Sequence, residues 1–264
     1  MYIKEYYFTL VQDSSQQNMN DSMVVDMMAS IAVEASIDLF VNDTKVATIL
    51  ATPENLLELG TGYLVSEGLL RDMDDLLELH SDSGSIHARM RMSDDLEIWH
   101  ELRSSGCVGV KWDENEDIHV ISDAIFDMCH IQNSLRYLSS DVYSKSRGTH
   151  SACIINTDGE CITKAIDIGR HNAFDKAIGA ALMGGIDMSK HFILSSGRQS
   201  AGMVMKAARV GIPLIVTKTA PLNTGIDAAR NTGICLVCYT TDASASIFSN
   251  VNRIAFLDGQ KSIN

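Results

Sequence analysis

The chain has 264 residues, 45% of them apolar, and a net charge of −13. This length allows a sizeable buried core, and the composition is neither disordered nor membrane-like. The acidic balance argues against general nucleic-acid binding, and no apolar run reaches bilayer length, so neither partner is expected.

The charge is uneven. Lys145 to Arg230 carries eleven Lys/Arg against six Asp/Glu, a net of +5, which leaves −18 for the rest. An anionic ligand would therefore belong to the second half. The competing explanation is a solvated acidic face on the first half. The six cysteines are Cys107, Cys129, Cys153, Cys161, Cys235 and Cys238. With no charged-then-apolar leader at the start, they are expected as free thiols of a reducing, cytoplasmic protein.

Residues 1–30 are polar and Met-rich with no clear period, and read as a disordered or loosely attached arm. Ile37 to Thr52 reads as two strands around a turn at Asn42-Asp43. Thr52-Pro53-Glu54 predicts a helix start, with Thr52 as N-cap and Pro53 in the first helical position. Leu56, Leu57, Tyr63 and Leu64 would be its apolar face, and Gly68 its end. After an acidic stretch, Ile86 to Met92 alternates like a half-buried strand. Ser104 to Val110 is small and flexible apart from one thiol, Cys107. Ser122 is expected to cap a helix running to about Leu138. A loose boundary near 139–146 separates a smaller α+β region (31–145) from an α/β region (146–264).

In that second region, Ser151–Asn156 and Glu160–Ile166 flank Asp158-Gly159, a hairpin signal. A helix pattern follows, with Phe174, Ala177, Ile178, Ala181 and Leu182 on one face. Asn172 is its expected N-cap, and Asp175 falls in its first turn. Arg170 and His171 would then stand at the mouth of a helix N-terminus, where anions are favoured and Arg170 offers a fork for phosphate. A capped helix with an exposed Arg and a structural His explains the same residues. Strands at His191–Leu194, Leu214–Thr217 and Ile234–Tyr239 alternate with helices after Arg198 and near Thr224–Asn231. This is α/β, a mixed sheet with helices on its faces. Ser195 to Arg198 sits at a strand end, where such sheets bind ligands. Cys235-Leu236-Val237-Cys238 lies in an apolar strand, so its two thiols should point to opposite faces and pack in cores rather than hold a metal.

Several of these stretches resemble one known family. Ile166 to Lys176, Ser196-Gly197-Arg198-Gln199-Ser200 running to Pro213, Ala220-Pro221, Gly233-Ile234, Thr52 to Leu56, Gly62-Tyr63-Leu64, Glu67-Gly68 and Gly148 to Ala152 resemble the formate dehydrogenase accessory sulfurtransferases, the FdhD family. The resemblance spans roughly residues 37–250. It implies a cytidine-deaminase-like α/β domain behind a smaller N-terminal region, usually as a homodimer. It also implies sulfur carriage from a cysteine desulfurase, as a cysteine persulfide, to a molybdenum or tungsten bis-molybdopterin guanine dinucleotide. The sulfurated cofactor then enters the catalytic subunit of formate dehydrogenase. No protein-ligated metal is expected.

Sulfur carriage needs an accessible nucleophilic thiolate. Cys107, between Gly106 and Gly109 and near Arg103 and Lys111, is the candidate; the alternative is an ordinary loop cysteine. Many members carry Cys-x-x-Cys here, whereas this chain has Gly109 and Val110 where the second thiol would fall. The resemblance places the guanine nucleotide end on Tyr239-Thr240-Thr241-Asp242-Ala243-Ser244. Tyr239 can stack a base, and Thr240, Thr241 and Ser244 offer hydroxyls. Family members often have arginines in this loop. Here there are none, and Asp242 would repel phosphate, leaving Arg170 or Arg198 to compensate. Two other classes are weighed: a non-catalytic chaperone that binds the cofactor, and a zinc nucleotide deaminase. The latter lacks its His-x-Glu and Pro-Cys-x-x-Cys.

Overall fold

The structure is a computed structural model and describes residues 2–12, 23–91, 101–103 and 118–256. Strands β1 (Ile3–Gln12) and β2 (Met23–Ala32) pair over ten residues as an antiparallel ribbon. The expected loose arm is therefore a paired element over these residues. Tyr6, Tyr7, Phe8, Val24 and Val25 are good strand formers, and the Met-rich, polar composition around them hid the pattern.

Strands β3 (Ala35–Val41) and β4 (Thr44–Ala51) form the expected hairpin. Its two turn residues, Asn42 (φ 46°) and Asp43 (φ 66°), are both left-handed, as a two-residue turn of this kind requires. Helix α1 (Leu56–Ser66) starts later than expected, after a left-handed Asn55 with no side-chain cap. Thr52 is not its N-cap. It is fully buried, and its groups serve the second region instead. Strands β5 (Leu76–Asp82), β6 (Ser85–Met90) and β7 (Glu101–Arg103) complete a sheet of order β5-β6-β3-β4-β7. Helix α1 covers one face, closing a core of Ile37, Leu39, Ile49, Leu59, Leu64 and Ile86.

No helix starts at Ser122. Its hydroxyl donates to the Ser189 carbonyl (2.6 Å), and Ile125 is exposed. A short strand β8 (Phe126–Asp127) precedes α2 (Met128–Ser134), which Asp127 caps through the Cys129 amide. A 3-10 turn (Leu135–Leu138) and α3 (Asp141–Ser146) follow. Asp127 outcompetes Ser122 because a carboxylate both accepts the amide bond and meets the positive helix end.

The second region alternates as expected. It contains β9 (His150–Asn156), β10 (Cys161–Asp167), α4 (Arg170–Met183), β11 (His191–Ser195), α5 (Ala201–Arg209), β12 (Leu214–Thr217), α6 (Asn223–Thr232), β13 (Cys235–Cys238) and β14 (Ser246–Ser249). The order is β10-β9-β11-β12-β13-β14, with β11, β12 and β13 parallel and the other neighbours antiparallel. Helices α4, α5 and α6 cover one face through Phe174, Ile178, Met203, Val204 and Ala228. The other face packs on Phe126, Ile131, Leu135 and Leu138. A last strand, β15 (Ile254–Ala255), pairs with β8. The mixed α/β class is as expected.

Helix α4 begins at Arg170, with Gly169 in the cap position, so Asn172 is not the N-cap. Asn172 is buried, and its amide donates to the Leu50 carbonyl (2.8 Å) and to Asp167 (2.9 Å). Asp175 lies beyond the first turn, fully buried against Lys206. Both polar residues look like local helix signals in the sequence, but they tie α4 to the first region.

Candidate functional site

The parallel strands β11, β12 and β13 end at Ser195, Thr217 and Cys238, on one edge of the sheet. Because β9 runs antiparallel to β11, its first residues arrive at the same edge, as does the end of β10, where Asp167 pairs with His150. The connections leaving these strands open α4, α5 and α6. None of the three helices has a side-chain cap hydrogen bond at its N-terminus. Their first-turn amides and dipoles therefore face a common edge that favours anions. The lengths of 14, 9 and 10 residues make these full helices rather than single turns.

Two sequence stretches far apart in the chain meet here. A Cβ on Gly197 would lie 2.7 Å from the Arg170 Cβ and 2.9 Å from its Cδ. Only glycine at 197 lets the Arg170 side chain cross this point. Arg170 and His171 are half-buried, whereas Arg198 is exposed. Asp167 holds the entry to α4. Its Oδ1 accepts the Gly169 amide (2.8 Å) and Asn172, and its Oδ2 accepts the Thr52 amide (2.9 Å) and Lys176 Nζ (2.7 Å). Lys176 and Asp167 are fully buried, and Lys176 also donates to the Thr52 carbonyl. Four donors on one carboxylate fix the backbone that presents Arg170.

His150 stands beside this group. Its Nδ1 lies 3.2 Å from Ser196 Oγ, which also accepts the Ser151 amide (3.0 Å). Burial, and then the Arg170 guanidinium, push His150 below its ordinary pKa, against the opposing pull of Asp167. A folded-state pKa below the unfolded one means that neutral His150 supports the fold above about pH 6.5, and that this support is lost as pH falls further. Urea unfolding at pH 7 and pH 5 should therefore show a steeper acid loss in the wild type than in His150→Gln. Equal losses in the two proteins would show that another group titrates.

The loop after β13 is held from below. The Tyr239 and Thr240 amides donate to the carbonyls of Thr219 and Thr217 (both 3.1 Å). Thr217 Oγ1 donates to the Gly197 carbonyl (2.9 Å), which links this loop to the Arg170 crossing. Tyr239 is left-handed (φ 51°), half exposed and tilted against Phe248, so part of its ring is open to a planar group. Thr240 is buried. Thr241 to Ser244 are exposed and closed on themselves. The Thr241 amide donates to the Ser244 carbonyl (2.7 Å), and Thr241 Oγ1 accepts the Ser244 amide (3.0 Å). The two hydroxyls also meet (3.0 Å). Of the hydroxyls expected to face a ligand, those of Thr241 and Ser244 are thus engaged in their own turn.

Among the described residues, Thr240 Oγ1, Gln199 Oε1 and Thr149 Oγ1 are buried without a hydrogen bond. Each belongs to a segment at this edge. A buried polar atom costs roughly 1–3 kcal/mol when left unmatched. Gln199 and Thr149 escaped the sequence reading of the site. Their only signal was position, next to a strand end.

The described thiols fall into two groups. Cys235 and Cys238 lie on opposite faces of β13, in the two different cores, as expected, and burial pushes both up to about 12. Cys153 is also buried, Cys161 is half-buried and Cys129 is exposed on α2. Cys107 lies outside the described residues.

The FdhD/NarQ family model matches residues 32–255. The chain is 33% identical over 213 residues to the sulfur carrier protein FdhD of Methanothermobacter thermautotrophicus, covering 77% of this chain and 83% of that one. It is 30% identical over 232 residues to the protein of the same name from Wolinella succinogenes, covering 84% and 81%. A crystal structure described as a formate dehydrogenase accessory protein from Desulfotalea psychrophila superposes with a TM-score of 0.78. It covers 97% of this chain and all of that one, at 22% identity, a likeness of fold.

Proposed function

The chain belongs to the FdhD/NarQ family, and from that premise we propose that it is a sulfur carrier, as its relatives' names state of them, and that it serves formate dehydrogenase. In this reading it is a sulfurtransferase with Cys107 as the carrying thiol. The Cys107 thiolate attacks the outer sulfur of a persulfide on a cysteine desulfurase. One S–S bond forms as the donor's breaks, and the donor leaves as its own thiolate, so no outside oxidant or reductant is consumed. The sulfur is destined for a molybdenum bis-molybdopterin guanine dinucleotide, a substrate here, before that cofactor reaches formate dehydrogenase. We read the six-stranded sheet as cytidine-deaminase-like, and the reaction as cytoplasmic. No helix among the described residues is long and apolar enough to cross a membrane.

The observation that carries the cofactor half of this reading is the shared edge of α4, α5 and α6. Uncapped helix N-termini, Arg170 and unmatched buried polar atoms on Thr240 and Gln199 suit a phosphate-bearing nucleotide. Tyr239 is placed to stack its base. These groups take over the anchoring that arginines in the 240–244 loop would otherwise supply.

The test is the intact mass of the full chain after incubation with a cysteine desulfurase and cysteine, with Cys107→Ser alongside. The wild type is expected to gain one sulfur, removable by reductant, and the variant to gain none. Sulfur retained on the variant would move the role to Cys129 or Cys161. No sulfur on either protein, with a competent desulfurase, would favour a chaperone that only binds the cofactor.

A further inference from the structure

An irregularity in a strand ladder brings two thiols together. Strands β9 and β10 pair antiparallel, with Lys164 opposite Cys153, Thr163 opposite Ile154 and Cys161 opposite Ile155. Ile162 is left over between these pairs as a bulge. Strict alternation would point Cys161 and Lys164, three residues apart, to opposite faces. The extra residue puts both on the face of Cys153 and Ile155, which packs on Phe126, Ile131 and Leu135. Cys153 is fully buried in that core, whereas Cys161 is half-buried on β10, an edge strand of the sheet. The two thiols are hydrogen-bonded to each other, with the Lys164 ammonium near both. Neither is in a disulfide.

The two thiols are unlike in reactivity. The hydrogen bond from Cys153 holds the Cys161 thiol below its ordinary range against the effect of burial, and Lys164 acts in the same direction. The same hydrogen bond, and then burial, push Cys153 up. Cys161 is therefore the one that ionises, and it is also the one a small solute can reach. We propose that Cys161 and Cys153 are a peroxide-oxidised pair, in which Cys161 meets hydrogen peroxide and Cys153 closes the disulfide. The Cys161 thiolate attacks one peroxide oxygen, the O–O bond breaks, and hydroxide leaves as Cys161 becomes a sulfenic acid. The Cys153 sulfur then attacks the sulfenic sulfur. Its proton goes to the departing hydroxyl, which leaves as water as the S–S bond forms. The two thiols supply the two electrons that reduce the peroxide. Closing a diagonal pair needs some backbone movement, and a bulge is where the ladder is already broken. The bridge stops Cys161 short of irreversible sulfinic acid. It lies at the hairpin end of β9 and β10, whereas His150 and Asp167 pair at the other end. Neither Cys107 nor the ligand edge takes part, so the pair stands or falls independently of the sulfur-carrier reading.

Peptide mapping of the reduced full chain, treated with a few equivalents of hydrogen peroxide and then alkylated, tests it. The wild type should yield a linked peptide joining Cys153 to Cys161, cleaved by dithiothreitol. Cys107→Ser should yield the same link, which separates this result from the sulfur-transfer assay. In Cys153→Ala the sulfenic acid on Cys161 should persist, and its capture by dimedone should exceed that in wild type by at least about tenfold. The wild-type map needs no change in the core, so it decides the matter even where that variant folds poorly. Both thiols still alkylated at a dose that oxidises Cys129 would overturn the proposal. So would Cys161 linked to a different cysteine, a link that needs Cys107, or dimedone capture unchanged in a folded Cys153→Ala.

Discussion

Gly62→Ala should destabilise the protein by about 3 kcal/mol or more, although alanine favours a helix over glycine by about 1 kcal/mol. The reason lies where α1 crosses α4. A Cβ at Gly62 would lie 1.8 Å from the Asp175 carbonyl oxygen and 2.5 Å from its carbon. From the opposite side, a Cβ at Gly179 would lie 1.9 Å from the Glu58 carbonyl oxygen and 2.8 Å from the Gly62 nitrogen. These neighbours are backbone, not the movable end of a side chain, so relief requires one helix to shift off the other. Such a shift would pull on the ion pairs at Asp175 and Asp167 that join the two regions. Urea unfolding of Gly62→Ala, Gly179→Ala and Gly184→Ala makes the comparison. Gly184, whose nearest neighbours to a new Cβ are at 3.4 Å, is the control and should change little. A loss below about 1 kcal/mol at both crossing glycines would mean that the helices yield easily.

Lys206→Met should cost about 3–5 kcal/mol at neutral pH, the usual range for stripping one partner from a buried ion pair. Lys206 Nζ, almost fully buried, touches Asp175 Oδ1 (2.8 Å) and Oδ2 (2.9 Å), Glu67 Oε1 (2.7 Å) and Ser66 Oγ (2.8 Å). It also lies 5.4 Å from the centre of the Tyr63 ring. One cation thus serves two carboxylates brought from different regions. Burial raises the Asp175 pKa and Lys206 opposes the rise, while Glu67 adds to it. Removing the lysine leaves that rise opposed only by the Ser66 hydrogen bond. A carboxyl whose folded pKa lies above its unfolded value, about 4, destabilises the fold at neutral pH and recovers as it takes up a proton. The deficit of Lys206→Met relative to wild type should therefore shrink between pH 7.5 and pH 5.5. Adding Asp175→Asn and Glu67→Gln should restore much of the loss at neutral pH. A deficit that does not change with pH would locate the cost in lost packing rather than in stranded charge.

The elements most readable in the sequence are those set by local chemistry. Asp158-Gly159 between two alternating apolar runs gives the β9–β10 hairpin, and Asn42-Asp43 gives the β3–β4 turn, because turn conformation depends on two adjacent residues. The apolar runs His191–Leu194 and Leu214–Thr217 give β11 and β12, fully or nearly fully buried on both faces. Their ends in turn indicate the edge where Arg170, Arg198 and Tyr239 gather. The helix starts were less readable. Thr52, Ser122 and Asn172 are all good N-cap residue types, yet each uses its side chain on a distant partner: Ile168, Ser189, and Leu50 with Asp167. A capping residue identifies itself only if nothing farther away competes for its oxygen or amide.

The sequence alone determined the α/β class, the family and the choice of Cys107 and the 239–244 loop as candidates, since periodicity, turn residues and motif order are written along the chain. Only the tertiary structure decided which polar groups are consumed and which remain. Thr241 and Ser244 satisfy each other, whereas Thr240 and Gln199, no more conspicuous in the sequence, are buried with an unmatched atom. It likewise decided that the conspicuous Asp167 and Lys176 hold α4 against the first region rather than face a ligand, Asp167 accepting from a residue 115 positions away. Hydrogen bonds and charges are matched in pairs across space, and no local pattern records the distant half of a pair.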